Sequence, residues 1–524
     1  MLGTNATHAN PEQKTGEGVA GRHPSHMGGV RSYERHQPEE TVLYKTLQAH
    51  WNTFLRELES AAEPPVLPAF VISEVEAYLR CGILAHGSIL AKCGDCGWCR
   101  PVAFSCKRRG FCPSCVGRRM CDFAAGLVGR VIPHVPVRQW VTVPHGLRAK
   151  MAFDPALTSV MLRQFIAAVS SWLRRRARRV GVRGALKAGA VTMIQRFNSA
   201  IDVSVHYHAL FLDGVYSFPP GGKPVFHPTP SPTNEDVARV AAAVFRRVER
   251  ALADREPDAA QRRFVESAPI LAAVAEASVR GVVPTGPRRG RRIIRIRGAP
   301  GDVDAFVMGK LCAQVAGYNV QAATRVRAHD REGLERMARY LARPPVATDR
   351  LTQLDDGRLE LRLKRAWRDG TTAFVFTPHE IIERLIAIVP RPRAHLMRYF
   401  GVFAPAFAAR SGIVPAKNAT ILPDRRSPAA TEVGAPRRPR RFPWASLIWR
   451  VFLNDVLECG RCGGRMEIVA AVTSTEGITR ILENLGLPAD PPAFHSARPP
   501  PQTQLPFVGA EFGADPPAHK EFGA

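Results

Sequence analysis

Ser204-Val205-His206-Tyr207-His208-Ala209-Leu210-Phe211-Leu212 decides how the rest of the chain is read. The run has no helix breaker, and its apolar residues alternate. In an extended strand, residues two apart share a face. Val203, Val205, Tyr207, Ala209 and Phe211 therefore form one apolar face, and Ser204, His206 and His208 share the other. An isolated His-x-His is more often two partly exposed histidines on a sheet. Here a core strand surrounds the pair, so the two imidazoles are read as ligands of one divalent ion. Mg²⁺ or Mn²⁺ held there would polarise a phosphate as a Lewis acid. Gln195, on the preceding strand, is the expected third ligand, with Asp213 behind it.

Strands are expected at Val137–Val143 and Ala190–Phe197 beside Asp202–Leu212. Asp154 caps a helix with Pro155 at its first position. Leu157, Met161, Phe165, Ala168 and Trp172 form the apolar stripe of that helix, and Arg174, Arg175, Arg176, Arg178 and Arg179 crowd its end. Gly214–Pro232 reads as a Pro-rich loop. A long helix follows through Val237, Val240, Val244, Val248 and Leu252. Thr371–Phe376 reads as a strand, with a helix after it through Ile381, Leu385 and Ile388.

Downstream, Leu334, Met337, Ala338 and Leu341 recur at helical spacing, and Pro344 and Pro345 stop a helix that starts near Arg331. Arg336, Arg339 and Arg343 lie on the opposite face, where they are expected to bind DNA, and Tyr340 falls between the two. A tyrosine at such a boundary is most often structural. Beside arginines and a metal-polarised phosphate, its hydroxyl could instead attack phosphorus. That attack would give a 5′-phosphotyrosine and free a 3′-hydroxyl, conserving the bond energy for rejoining.

The eleven cysteines cluster. Cys93-x2-Cys96 and Cys112-x2-Cys115, fifteen residues apart, fit a four-cysteine zinc template. Cys81, His86, Cys99, Cys106 and Cys121 supply ligand types for a second ion. Cys459 and Cys462 form half a site, with His495 as a third candidate, and are read as incomplete. Lys107, Arg108 and Arg109 in the first cluster, and Arg288, Arg289, Arg291 and Arg292 further on, are expected to grip phosphates. The net charge of +27 over 524 residues also points to a polyanionic partner. No run of about 18 apolar residues suggests a membrane span. The N-terminus lacks the apolar stretch of a secretory signal. Clustered thiols fit a reduced cytoplasm better than a disulfide framework.

Several ordered blocks resemble the rolling-circle transposases of the insertion-sequence-91 family, within the His-hydrophobe-His endonucleases. They are Cys81-Gly-Ile-Leu-Ala-His-Gly, Ala103-Phe-Ser-Cys-Lys-Arg-Arg-Gly-Phe-Cys-Pro-Ser-Cys115, Arg118-Arg-Met, and Val131-Ile-Pro-His-Val-Pro-Val-Arg-Gln-Trp140. Further on come Val205-His-Tyr-His-Ala-Leu-Phe-Leu-Asp-Gly-Val-Tyr216, Arg339-Tyr-Leu-Ala-Arg-Pro-Pro345 and Leu363-Lys-Arg-Ala-Trp-Arg-Asp-Gly-Thr-Thr372. Together they span about residues 70 to 480. The resemblance implies nicking of single-stranded DNA at element ends through a covalent tyrosine, followed by strand transfer. It assigns His206 and His208 to the catalytic Mg²⁺ or Mn²⁺, Tyr340 to the attack, and Zn²⁺ to a structural role. The chain looks like the single-tyrosine branch. A plasmid replication initiator or relaxase, or a zinc-dependent DNA-binding protein without catalysis, are the competing readings.

The expected fold class is α+β: an antiparallel-sheet nuclease core with helices, behind a helical and zinc-ribbon-like N-terminal domain. The expected boundaries are a disordered arm at 1–42, the zinc-binding domain at 43–125 and the nuclease domain at 130–420. A basic linker at 421–444, a small C-terminal module at 445–488 and a disordered tail at 489–524 complete the chain. The expected partner is DNA, mainly single-stranded element ends and target, with no membrane or small-molecule partner. The expected location is the cytoplasm of a bacterium, at the nucleoid.

Overall fold

The computed structural model describes residues 35–60, 67–253, 259–297, 310–367, 369–415 and 456–498. The linker expected at 421–444, and most of both expected tails, lie outside these residues.

The chain opens with α1 (Val42–Glu59) and α2 (Ala69–Leu79), then the hairpin β1 (Ser88–Cys93) and β2 (Cys99–Ala103), and then α3 (Pro113–Arg130). Next come β3 (Val137–Pro144), α4 (Arg148–Phe153) and α5 (Pro155–Arg179). As the sequence predicts, Asp154 caps α5: its carboxylate accepts from the N–H groups of Ala156 and Leu157. The chain continues through β4 (Leu186–Lys187), β5 (Gly189–Phe197), β6 (Val203–Leu212), β7 (Gly214–Ser217) and β8 (Val225–Pro228). Three helices follow, α6 (Asn234–Ala253), α7 (Ala259–Ser267) and α8 (Pro269–Arg280). Then come β9 (Ile294–Arg297), β10 (Cys312–Val315), β11 (Tyr318–Gln321), β12 (Arg325–Val326) and α9 (Arg331–Leu341). The last elements are β13 (Leu351–Gln353), β14 (Leu359–Arg362), β15 (Thr371–Phe376), α10 (Pro378–Ile388), β16 (Met397–Gly401), β17 (Met466–Val472) and α11 (Thr475–Asn484).

The central sheet runs in the order β10-β11-β3-β6-β5-β16, with β12 beside β11 on β3. Every pairing in it is antiparallel. The histidine strand β6 sits in the middle, which explains its nearly continuous burial. Val203, Val205, Tyr207, Ala209 and Phe211 pack into the larger core with Phe165 and Val169 of α5. By composition and length α5 could cross a membrane, but more than half of its apolar window is buried inside the protein.

The face that carries the histidines is not an open one. Leu210 and Leu212 lie on it with Val191 of β5, and they pack against Phe123 and Leu127 of α3 and Leu334, Met337, Ala338 and Leu341 of α9. Two helices therefore cover the half of this face that lies beside the histidines. Arg331 joins the two helices: its guanidinium donates to the carbonyls of Val128, Ile132 (2.8 Å) and Pro133 (3.1 Å) at the end of α3. Carbonyls there lack helical partners, and a cation complements the helix dipole.

Four expectations differ from the structure. Gly214–Pro232 holds a hairpin, β7 with β8, rather than only a loop. Tyr216 and Phe226 pack across it with ring centroids 5.2 Å apart, and Pro219 and Pro220 fall in the connection. The C-terminal module does not stand apart, because β17 adds to the N-terminal hairpin in the order β17-β1-β2. The described part of the tail, up to residue 498, lies along α1: Gln48 donates to the carbonyl of Ala493 (2.7 Å) and Asn52 to that of His495 (2.9 Å). At the other end Arg35 donates to the Gly82 carbonyl (3.3 Å), so the ordered chain begins before residue 42.

Removing the Arg331 guanidinium strips three charge-assisted bonds from the α3–α9 contact. Arg331→Met is expected to cost about 2 kcal/mol in chemical denaturation and to speed amide exchange within α9. Unchanged exchange there would show that apolar packing alone holds the helix.

Candidate metal and tyrosine site

The register of the sheet builds the site. Gln195 of β5 stands directly opposite His206, and Met193 opposite His208. On the other side Val141 of β3 pairs with His208. Paired residues share a face, so Gln195, His206 and His208 converge, and Gln139, two residues before Val141, joins them.

The hydrogen bonds decide which nitrogens are available. The Nδ1–H of His206 donates to the Ser204 carbonyl at 2.7 Å, which leaves Nε2 with its lone pair. Nδ1 of His208 lies 2.8 Å from the Gln139 amide, and its Nε2 lies 3.3 Å from Oε1 of Gln195. The Gln139 Nε2–H donates to Nδ1, so Nε2 carries the ring proton and faces Gln195 Oε1; Nε2 would be free for a metal once the Gln139 amide turned to present its oxygen and the proton moved to Nδ1. Two neighbouring ligands of an octahedral ion with bonds of 2.1 Å sit about 3 Å apart. Gln195 Oε1 and His208 Nε2 meet that spacing. The donor set is two imidazole nitrogens and one amide oxygen, all neutral, so a bound cation would keep its full charge for an anionic substrate. Asp213 does not take part. It is buried and ion-paired with Arg138 (3.0 Å) and Arg325 (2.8 Å).

Burial pushes His206 down to about 4, and the cations Arg343 and Arg148 add to the shift. His208 is held well below its ordinary value by burial, by His206 and by Arg343. Both rings are thus neutral at physiological pH, the form that binds a metal.

Tyr340 is 49% exposed in the last turn of α9, while Leu334, Met337, Ala338 and Leu341 are buried. Its ring meets that of His208 edge-on, with centroids 6.0 Å apart. The Arg343 guanidinium lies over the tyrosine ring, 4.6 Å from its centroid. Arg339 and Arg336 of the helix are paired with acids one turn back: Arg339 with Glu335 (2.7 Å) and Arg336 with Glu332 (3.7 Å). Arg343 is therefore the arginine of this group that sits at the tyrosine.

The other basic residues fall into two classes. Arg109 donates to the Ala394 carbonyl (2.7 Å), Arg108 to Ser73 (2.6 Å), and Arg288 is paired with Glu380 (2.5 Å). These roles are structural. Lys107 is defined mainly by its backbone, whose carbonyl accepts from Arg119 (2.6 Å). Arg289, Arg291 and Arg292 are exposed, as a phosphate-binding surface requires.

The thiols group differently from the expected template. One group is Cys81, Cys106, Cys112 and Cys115, and the other is Cys93, Cys96, Cys459 and Cys462. Strand length separates the two C-x2-C pairs. Cys81 and Cys106 flank the base of the β1–β2 hairpin, while Cys93 and Cys96 lie at its tip. The six residues of β1 span roughly 20 Å at about 3.3 Å each. Cys112 and Cys115 open α3 at the base, where the helix dipole favours thiolates. In that group the sulfurs lie 3.4 to 3.7 Å apart, close to the roughly 3.8 Å edge of a tetrahedral zinc–thiolate site. Arg118 donates to Cys115 Sγ at 3.4 Å and adds compensating charge. His86, Cys99 and Cys121 stand outside both groups. So does His495, whose backbone pairs with α1. Sequence reasoning missed Gln139, Arg148 and Arg331; no spacing rule links them to β6.

Comparison with known proteins bears on both halves. Residues 189–411 match a family described as "Putative transposase", and residues 46–143 match one described as "Transposase zinc-binding domain". No curated protein and no solved structure matches the chain.

The buried histidines make acid stability a direct test. Each has its pKa lowered on folding, so its contribution is complete above about 6.5 and is lost as pH falls below that, for His206 towards about 4. The midpoint of thermal unfolding should fall across that window, and less steeply in His206→Gln. Equal slopes would mean that His206 is not held neutral by the fold.

Proposed function

We propose, for a chain that belongs to the insertion-sequence-91 family of transposases, that Tyr340 nicks and rejoins single-stranded DNA at the ends of a mobile element. The observation that carries this reading is the edge-on placement of the half-exposed Tyr340 against His208. The family makes the chain a transposase with DNA as its partner and a zinc-binding N-terminal region.

His206, His208 and Gln195 would hold a divalent cation, Mg²⁺ or Mn²⁺, which supplies Lewis-acid polarisation of the scissile phosphate. Gln139 orients His208, and the Ser204 carbonyl orients His206. Arg343 and Arg148 make the pocket electropositive and draw in the phosphate. The phenol of Tyr340 loses its proton as its oxygen bonds to phosphorus. The P–O3′ bond breaks, and O3′ leaves with the electron pair and takes up a proton. The products are a 5′-phosphotyrosine and a 3′-hydroxyl. Attack of a 3′-hydroxyl on that phosphotyrosine reverses the exchange and joins strands. No high-energy cofactor is consumed, because one phosphodiester-type bond is traded for another.

Exposed Arg289, Arg291 and Arg292 suit backbone contacts that track single-stranded DNA. Such contacts predict affinity that falls steeply with salt.

The test is cleavage of single-stranded oligonucleotides carrying candidate ends, with Mg²⁺. Wild type should leave a protein-linked 5′ fragment, and Tyr340→Phe should not. Normal cleavage by Tyr340→Phe would assign the attack elsewhere. His206→Ala with His208→Ala should lower cleavage by at least about a thousandfold while leaving salt-sensitive DNA binding largely intact. Gln195→Ala should be partly rescued by raising the Mn²⁺ concentration, whereas cleavage independent of Gln195 would leave the third ligand to water or substrate.

A further inference from the structure

Cys459 and Cys462 look incomplete in the sequence, and the zinc-binding family match ends at residue 143. We propose that these two thiols complete a second zinc site with Cys93 and Cys96, a metal staple that joins the two ends of the chain. The four sulfurs lie within 4.8 Å of one another. Cys93 Sγ is 3.5 Å from Cys462 Sγ, and Cys96 Sγ is 3.6 Å from Cys459 Sγ. These separations are near the edge of a tetrahedral four-thiolate ion. A disulfide would bring each bonded pair to about 2 Å instead.

The two halves repeat one local design. Cys93-Gly-Asp-Cys96-Gly97 and Cys459-Gly-Arg-Cys462-Gly463 share the pattern Cys-Gly-x-Cys-Gly. In each, the glycine after the second cysteine donates its N–H to the carbonyl of the first cysteine, at 3.1 Å for Gly97 and 2.9 Å for Gly463. Both glycines have positive φ, +70° and +74°, where a Cβ is disfavoured. The turns thus fold back on themselves and point both thiols outward at a common centre. They also close on each other: a Cβ at Gly464 would lie 2.0 Å from the Asp95 carboxylate.

Apolar packing directly beneath the two turns is small, and the rest of the contact is made by Leu84 with Ile478 and Leu482 and by Arg100, which donates to the carbonyls of Val456 and Glu458. The apolar cluster beneath the turns has four buried residues, Ala91, Cys93, Cys459 and Met466, with Trp98 against it. Two of the four are themselves proposed ligands. Small lobes with so little core are usually held by metal or disulfide. The strand pairing of β17 with β1 brings Met466 opposite Cys93, so the sheet register and the metal site specify the same alignment.

Zinc content of the full-length protein tests the assignment. Wild type should carry two zinc ions. Cys459→Ser with Cys462→Ser should carry one, as should Cys93→Ser with Cys96→Ser. The variant with all four replaced should also carry one, because both pairs serve the same ion. If the Cys459/Cys462 variant keeps two ions, or if the fourfold variant holds fewer than either double variant, the shared site is wrong. The remaining ion, at Cys81, Cys106, Cys112 and Cys115, reports that the rest of the N-terminal region is folded. Should the Cys459/Cys462 variant lose both ions, Cys462→His keeps a metal-binding side chain and has to restore two; failure to do so overturns the staple. A protease site placed between residues 430 and 440 gives a second readout. After cleavage, the C-terminal fragment should remain with the rest of the wild-type protein on gel filtration and separate in the double variant. Separation in the wild type with both ions bound would also overturn it.

Discussion

The docking of α9 on α3 is the contact on which the candidate site depends. Tyr340 lies on the exposed side of a three-turn helix that is too short to hold itself. Its position comes from Leu334, Met337, Ala338 and Leu341, buried against Phe123 and Leu127, and from Arg331 at the far end. The same α3 begins at Cys112 and Cys115, in the base group of thiols. A rigid element therefore runs from the thiol cluster to the tyrosine. The zinc-binding region then has a mechanical role beside any DNA contact: it orients the surface on which the tyrosine helix rests.

The second constraint is the neutrality of the histidine pocket. Two imidazoles and an amide carry no charge, and the nearest charged groups are arginines. Anions are favoured there and protons are not. Asp213, a carboxylate one residue beyond the strand, is kept away by its two guanidinium partners. A carboxylate there would add negative charge to a pocket whose charged neighbours are cations.

Much of this was legible in the residues. The alternation in β6 predicted which side chains enter the core, and the helical spacing around Tyr340 predicted its boundary position. Asp154-Pro155 predicted the start of α5. Elements whose identity rests on partners remote in sequence were not legible. Nothing near Gln139 says that its amide meets His208, because that depends on the β3–β6 register. The thiol grouping failed for a similar reason. Spacing rules treat nearby C-x2-C pairs as one site, but a strand between them carries one pair to the tip of a hairpin and leaves the other at its base.

Cys93 meets a thiol 369 residues later, and that distance shapes how the protein is made. During synthesis the β1–β2 hairpin leaves the ribosome with one edge of β1 unpaired, and that edge waits for β17, almost at the end of the chain. Contacts of such high sequence separation form slowly, and an open strand edge can recruit another chain in the meantime. The N-terminal lobe is thus the last part to be finished rather than the first. A ribosome that stops before Met466 releases a molecule whose histidines and tyrosine are all present but whose first sheet still has an open edge.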